Sequence, residues 1–211
     1  MFDNFNTGDI ILFSDKSFIP SLLISYFTNS KYTHIGMILK DPTYIKEDLK
    51  GLYIFESTGL SSINDAEDNK NKFGVQIRKF EDVYNNYNGA IYWRKLNVNR
   101  NELFYKNIKE IHSILHGKPY DLNLIDWFCA LFNIKLNKEQ CDNKFFCSAL
   151  ISCVYSKLSL LDINTPWTII RPNDFGSEQE KSRLIFINCN LEKEIIIKDY
   201  FSYLHYLYKT Y

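Results

Sequence analysis

The order of its local patterns constrains this chain most: strand-like segments fill the first half, and helix-like segments follow them. Five short runs of β-branched, aromatic and other apolar residues predict strands, at residues 9–13, 33–39, 52–57, 74–79 and 90–96. Apolar residues at helical spacing take over after position 99. Strands followed by helices favour an α+β fold in which a mostly antiparallel sheet packs against helices.

The clearest helical pattern begins after residue 99. Asn99 is predicted as the N-cap, with Glu102 completing a capping box, and Gly117 marks the stop. The apolar positions of this helix are Leu103, Ile108, Ile111 and Leu115.

Weaker patterns complete the chain. They predict helices over residues 20–27, 122–132 (capped by Asp121) and 145–158 (capped by Asn143), a strand over residues 184–188, and an aromatic tail over residues 200–211. No linker composition is visible, so one domain is expected over residues 1–180. The strand and tail of residues 181–211 are expected to pack on it.

Composition excludes several classes of protein. Hydrophobic residues make up 45% of the 211 residues, which is enough to form a core and argues against disorder. Lys+Arg and Asp+Glu are both 25, so the chain lacks the broad basic field of a nucleic-acid binder. Neither a signal peptide nor an apolar run of membrane-spanning length is visible. A cytoplasmic protein is therefore expected, with peripheral membrane contact left open and the oligomeric state undetermined.

Five cysteines, an odd number without a CxxC pair, predict reduced thiols rather than disulfides or a structural zinc site; they are Cys129, Cys141, Cys147, Cys153 and Cys189. Cys147 differs from the others because it falls in the first turn of a predicted helix. Free N–H groups and the helix dipole stabilise a thiolate there. The commoner alternative is a buried core cysteine, and Cys153 fits that alternative better.

Two further residues could assist a nucleophilic thiol. His34 shares a predicted strand face with Gly36, and Glu56 is a carboxylate in an otherwise apolar strand. In a register that pairs His34 directly with Glu56, the carboxylate could face Nδ1 of the imidazole and orient it. The alternatives are a structural histidine and an exposed glutamate.

The remaining histidines are weaker candidates for a functional site. His112 and His116 lie four residues apart on one helix face, which is a metal-binding spacing, but no third ligand is nearby in the sequence. We therefore interpret them as a helix face and predict no metal. His205 lies in the aromatic tail, and no role is predicted for it.

Six segments, in order, resemble the circularly permuted branch of the NlpC/P60 papain-like superfamily, which includes bacterial YiiX-like proteins and related poxviral proteins. They are residues 7–12 (TGDIIL), 33–37 (THIGM), 55–58 (FEST), 117–121 (GKPYD), 146–150 (FCSAL) and 171–175 (RPNDF). The resemblance covers about residues 7–178, and it does not extend to the tail.

The resemblance implies a papain-like α+β fold and a thiol hydrolase or acyltransferase. Cys147 would attack an amide, ester or thioester carbonyl, His34 would transfer the proton, and Glu56 would hold the imidazole. No metal or organic cofactor is implied. Small-molecule, lipid and peptide acyl substrates all remain open.

Two hypotheses for the function remain. The first is a cysteine-dependent enzyme, and the second is a catalytically idle structural or interaction protein on the same scaffold. For an enzyme, the aromatic residues Tyr120, Trp127 and Phe128 are predicted to line an apolar acyl pocket beside Cys147. The bland alternative is that these three residues fill the core.

Overall fold

The computed structural model describes residues 2–15, 31–59, 62–120, 145–178 and 183–199. Within these ranges the main feature is a six-stranded antiparallel sheet in the order β4-β3-β2-β1-β5-β8. Its strands are β1 (Ile10–Ser14), β2 (His34–Lys40), β3 (Leu52–Thr58), β4 (Gly74–Lys79), β5 (Ala90–Arg94) and β8 (Ile195–Lys198). Two short strands, β6 (Leu96–Asn97) and β7 (Asn190–Leu191), pair separately.

The helices are α1 (Phe80–Asn86), α2 (Glu102–Leu115) and α3 (Cys147–Lys157). Two short 3₁₀ helices follow at Trp167–Ile169 and Pro172–Phe175. The predicted antiparallel sheet packed against helices is confirmed. The five predicted strands appear within a residue or so at most ends, except that the run at 90–96 divides into β5 and β6.

Alternation along the strands builds two apolar layers. Ile35, Met37 and Leu39 of β2 join the larger core with α2 and α3, whereas Ile38 joins a smaller cluster with Phe80 of α1. Successive side chains of a strand point to opposite faces, so one sheet separates both layers.

The segment before β1 ties the sheet to the helices. Asp9 is fully buried; its carboxylate accepts hydrogen bonds from the Leu96 amide (3.0 Å) and the Trp93 indole (2.9 Å), and it pairs with Arg100 at 3.1 Å. The Tyr155 hydroxyl of α3 donates to the carbonyl of Gly8, whose φ of +98° suits glycine. These contacts fix α3 against the start of β1.

Three local predictions are wrong. The N-cap of α2 is Asn101, whose Oδ1 accepts from the Phe104 amide at 3.0 Å, so Asn99 is not the cap. Leu103 is correspondingly exposed, and Phe104 takes the buried position. The predicted strand at 184–188 is an isolated bridge between Leu161 and Phe186, and the sheet is extended instead by β8.

The predicted helices at 20–27 and 122–132 lie outside the described residues, as does the aromatic tail at 200–211. The caps Asp121 and Asn143, the residues Cys129, Cys141 and His205, and the pocket residues Trp127 and Phe128 also lie there. None of the helices in the described ranges has both the length and the apolar character needed to cross a membrane.

Candidate active site

His34 and Glu56 meet on neighbouring strands. The imidazole Nε2 lies 2.5 Å from Oε2 of the carboxylate. The predicted register is wrong, because β2 and β3 pair Ile38 with Ile54 and Met37 with Phe55, two residues away from the expected alignment. His34 and Glu56 are therefore diagonal neighbours, still on one face because side chains alternate with a period of two. The nitrogen that faces the carboxylate is Nε2, not the predicted Nδ1.

Gly36 makes room for this packing. A Cβ at position 36 would lie 2.5 Å from Cδ1 of Ile54 and 3.3 Å from Cβ of Glu56. Distances this short are well inside van der Waals contact, so a larger residue here would have to displace the Ile54 side chain. The space beside His34 is thus filled by Ile54.

Arg78 of β4 binds the carboxylate of Glu56. Its Nε and Nη2 donate to Oε1 of Glu56 at 2.8 and 2.6 Å, while Oε2 faces His34. Both Glu56 and Arg78 are buried. The sequence analysis did not identify Arg78, although the alternation of residues 74–79 already set Gln76 and Arg78 on the face opposite Val75 and Ile77.

These contacts hold both partners in their charged forms. Burial alone would raise the pKa of Glu56, but Arg78 and His34 outweigh it and lower that pKa to about 2. Burial alone would lower the pKa of His34, but Cys147 and Glu56 outweigh it and raise that pKa to about 10. At neutral pH the pair is therefore an imidazolium and a carboxylate.

Cys147 is the first residue of α3. Phe146 occupies the N-cap position, and its side chain makes no capping hydrogen bond. The predicted helix start at residue 145, with Asn143 as the cap, is therefore wrong. The thiol is free and almost fully buried, and it lies close enough to His34 to raise the pKa of the imidazole. Because Glu56 takes Nε2, Nδ1 is the ring nitrogen left for the thiol.

Two hydroxyls fix the backbone around Cys147. Ser57, the residue after Glu56, donates to the carbonyl of Phe145 at 2.6 Å, which joins the chain before the thiol directly to β3. Ser148 donates to the carbonyl of Ile170 at 2.7 Å. The first amides of a helix lack intrahelical acceptors, so amides at the start of α3 are available as donors.

Tyr120 is the predicted pocket residue that the structure describes. It forms a bridge with Phe145, and its ring lies 5.3 Å from that of Phe73. This places Tyr120 beside the segment that leads to Cys147. Cys153, in the middle of α3, is buried in the core as expected. The structure therefore brings His34, Glu56 and Cys147 together, and Tyr120 bridges to Phe145, two residues before the thiol.

Known proteins resemble this chain in structure more clearly than in sequence. Neither a protein-family model nor a curated protein matches the sequence significantly. The crystal structure of the metalloprotein yiiX from Escherichia coli O157:H7, a DUF1105 protein, superposes with a TM-score of 0.51. The alignment covers 90% of this chain and 97% of yiiX at 17% sequence identity. At that identity the likeness establishes the fold, and this chain has a YiiX-like fold.

Proposed function

We propose that the chain is a cysteine-dependent hydrolase or acyltransferase that cleaves an amide, ester or thioester bond through an acyl-enzyme on Cys147. The observation that carries the proposal is the continuous chain of contacts from Arg78 through Glu56 and His34 to the thiol. An imidazolium beside a thiol at the start of a helix stabilises the thiolate, which is the nucleophilic form.

The proposed reaction begins with attack of the thiolate on the carbonyl carbon. Amides at the start of α3, that of Cys147 among them, stabilise the oxyanion that forms. The His34 imidazolium gives its proton to the leaving nitrogen, oxygen or sulfur, and the thioester acyl-enzyme remains. Water or an acceptor alcohol or amine then gives a proton to neutral His34 and attacks the thioester, which restores the thiolate and the imidazolium.

Glu56 is proposed to orient the imidazole rather than to exchange protons. Glu56→Gln should therefore slow haloacetamide labelling of Cys147 at pH 7 less than His34→Ala does, because the base survives in the first variant. Removing a positioned acid–base group costs about 10²–10⁴ in rate, so His34→Ala should lose at least about 100-fold in turnover. Equal losses in the two variants, with both folded by circular dichroism, would contradict this division of roles.

We further propose that the substrate carries a long apolar acyl group. Tyr120 and Phe73 form an aromatic pair beside the segment that leads to Cys147, and ligand pockets are largely apolar with a few oriented polar groups. Trp127 and Phe128 stay predicted members of the same pocket.

Intact-mass measurement tests this substrate class. The protein is incubated with acyl-CoA, phospholipid, acyl-amino acids and hydrophilic peptides in turn. An acyl mass gain on the wild type that is absent from Cys147→Ala is the expected result. Preferential turnover of the hydrophilic peptides, without an acyl adduct from any donor, would exclude an apolar acyl substrate. Absence of reaction with every donor would favour an idle scaffold.

A further inference from the structure

A second cluster of ionisable side chains lies where the segment before β4 meets the end of α2. His112 and His116 lie on one face of the helix end, with ring centroids 4.7 Å apart. Oε2 of Glu67 lies 3.1 Å from Nε2 of His112 and 3.6 Å from Nε2 of His116. The third donor, whose absence from the sequence argued against a metal site, is thus supplied by a distant segment.

We propose that Glu67, His112 and His116 bind one divalent transition-metal ion, with Zn²⁺ as the expected occupant. Two imidazole nitrogens and a carboxylate oxygen are a common ligand set for zinc. Ligand atoms about 2.0–2.1 Å from a tetrahedral zinc ion lie about 3.3 Å from one another. The two distances from Glu67 bracket that value, and all three donor atoms lie within 4.8 Å of one another.

Unsatisfied polar atoms supply an independent reason for a ligand. Nε2 of His112 and Oε2 of Glu67 are both buried, and neither finds a hydrogen-bond partner in the described part of the chain, since their 3.1 Å approach lacks hydrogen-bond geometry. The His112 side chain is only 6% exposed. A buried polar group without a partner is costly, and one metal ion would satisfy both atoms.

His116 has other partners that compete with a metal. Its Nε2 lies 2.9 Å from Oδ2 of Asp65 and 3.1 Å from Nζ of Lys72. Lys72 also reaches Asp68 at 3.0 Å, so its ammonium has another carboxylate when an ion enters. Asp65 contacts His116 but is not one of the three mutually close donors. Lys72 is a cation at the edge of the site and should weaken metal binding.

The proposed site borders an open cleft and does not include Cys147. Asp65 and Glu67 line this polar cleft of about 860 Å³, whereas His112 and His116 are not among its lining residues. His112 packs on Phe55 with ring centroids 5.6 Å apart. Phe55 and Glu56 are consecutive residues of β3 and point to opposite faces. An ion here would clamp the segment before β4 to α2, on the face of β3 opposite Glu56.

Zinc titration of the Cys147→Ser protein tests the site without any contribution from the triad thiol. One equivalent of Zn²⁺ should bind, measured by competition with a chromogenic chelator, and it should raise the melting temperature. Loss of a group that merely supports a ligand costs 10–100-fold in affinity, so Glu67→Gln should weaken binding by at least about 100-fold. Glu110→Gln, an exposed change on the same helix, is the matched control and should bind normally. Lys72→Met should bind zinc more tightly.

Co²⁺ substitution identifies the donor atoms. A spectrum without thiolate-to-cobalt charge transfer, present in the Cys147→Ser protein and lost in Glu67→Gln, is expected. The proposal is overturned by the absence of stoichiometric binding, by equal affinity in Glu67→Gln and Glu110→Gln, or by a thiolate band that shows cysteine ligation. These readouts do not involve catalysis, so their failure would leave the proposed thiol chemistry unaffected.

Discussion

Cys147→Ala should abolish haloacetamide labelling at pH 7 and all turnover while leaving the fold intact. Among the described cysteines, Cys147 alone both starts a helix and raises the pKa of a neighbouring imidazole. The loss should be complete for the acyl-enzyme on this residue, since alanine has no thiol to carry the thioester. Quantitative mass spectrometry of tryptic peptides measures the labelling, and circular dichroism checks the fold.

Cys153→Ala is the matched control. Cys153 lies on the same helix, is also buried, and packs in the apolar core. This variant should label and turn over like the wild type and lose only a modest part of its stability. Labelling that survives in Cys147→Ala but disappears in Cys153→Ala would reverse the assignment of the nucleophile.

Arg78→Met should be strongly destabilising. The change removes the guanidinium that donates twice to Glu56 and leaves a fully buried carboxylate with His34 as its remaining charged partner among the contacts described above. Breaking a buried ion pair by removing one partner costs about 3–5 kcal/mol. Urea unfolding, followed by circular dichroism, measures the free energy of unfolding.

A double-mutant cycle shows whether this loss comes from the Glu56 charge. Adding Glu56→Gln to Arg78→Met removes the unpaired charge, so the double variant should recover part of the lost stability. Lys79→Met, an exposed change in the next residue of β4, should alter stability by no more than about 0.5 kcal/mol. An Arg78→Met loss as small as that of Lys79→Met would mean that Arg78 does not support the site.

The sequence was sufficient to predict that His34 and Glu56 share a face, although it gave the wrong register. A shift of two residues moves side chains along the strand but leaves them on the same face. The prediction of a shared face depended only on the two-residue alternation of side chains, which the shift preserves. The glutamate side chain is long enough to reach His34 diagonally. Which ring nitrogen meets the carboxylate depends on the rotation of the imidazole, and strand periodicity contains no information about it.

Periodicity and local motifs could not predict contacts between segments that are distant in the sequence. Arg78 and Glu67 are ordinary charged residues in the sequence, and only the fold brings them to Glu56 and to His112. β8 joins the edge of the sheet at β5 although its isoleucines lie in a short run near the end of the described chain. The prediction of the α2 cap was wrong because Asn99 and Asn101 can both cap a helix. Which of them does so depends on where the chain enters the core.

The pH dependence of Cys147 alkylation in the wild type and in His34→Gln tests the central claim, that the thiol and the imidazole act as a charged pair, most directly. With the pKa of His34 raised to about 10, the imidazolium persists across the neutral range. If the thiol is its ionised partner, as proposed, the wild-type rate should be nearly constant from pH 6 to pH 9, whereas the His34→Gln rate should be lower at pH 6 and rise about tenfold per pH unit as an unassisted thiol ionises. Parallel profiles, rising with the same slope in both proteins, would contradict the account.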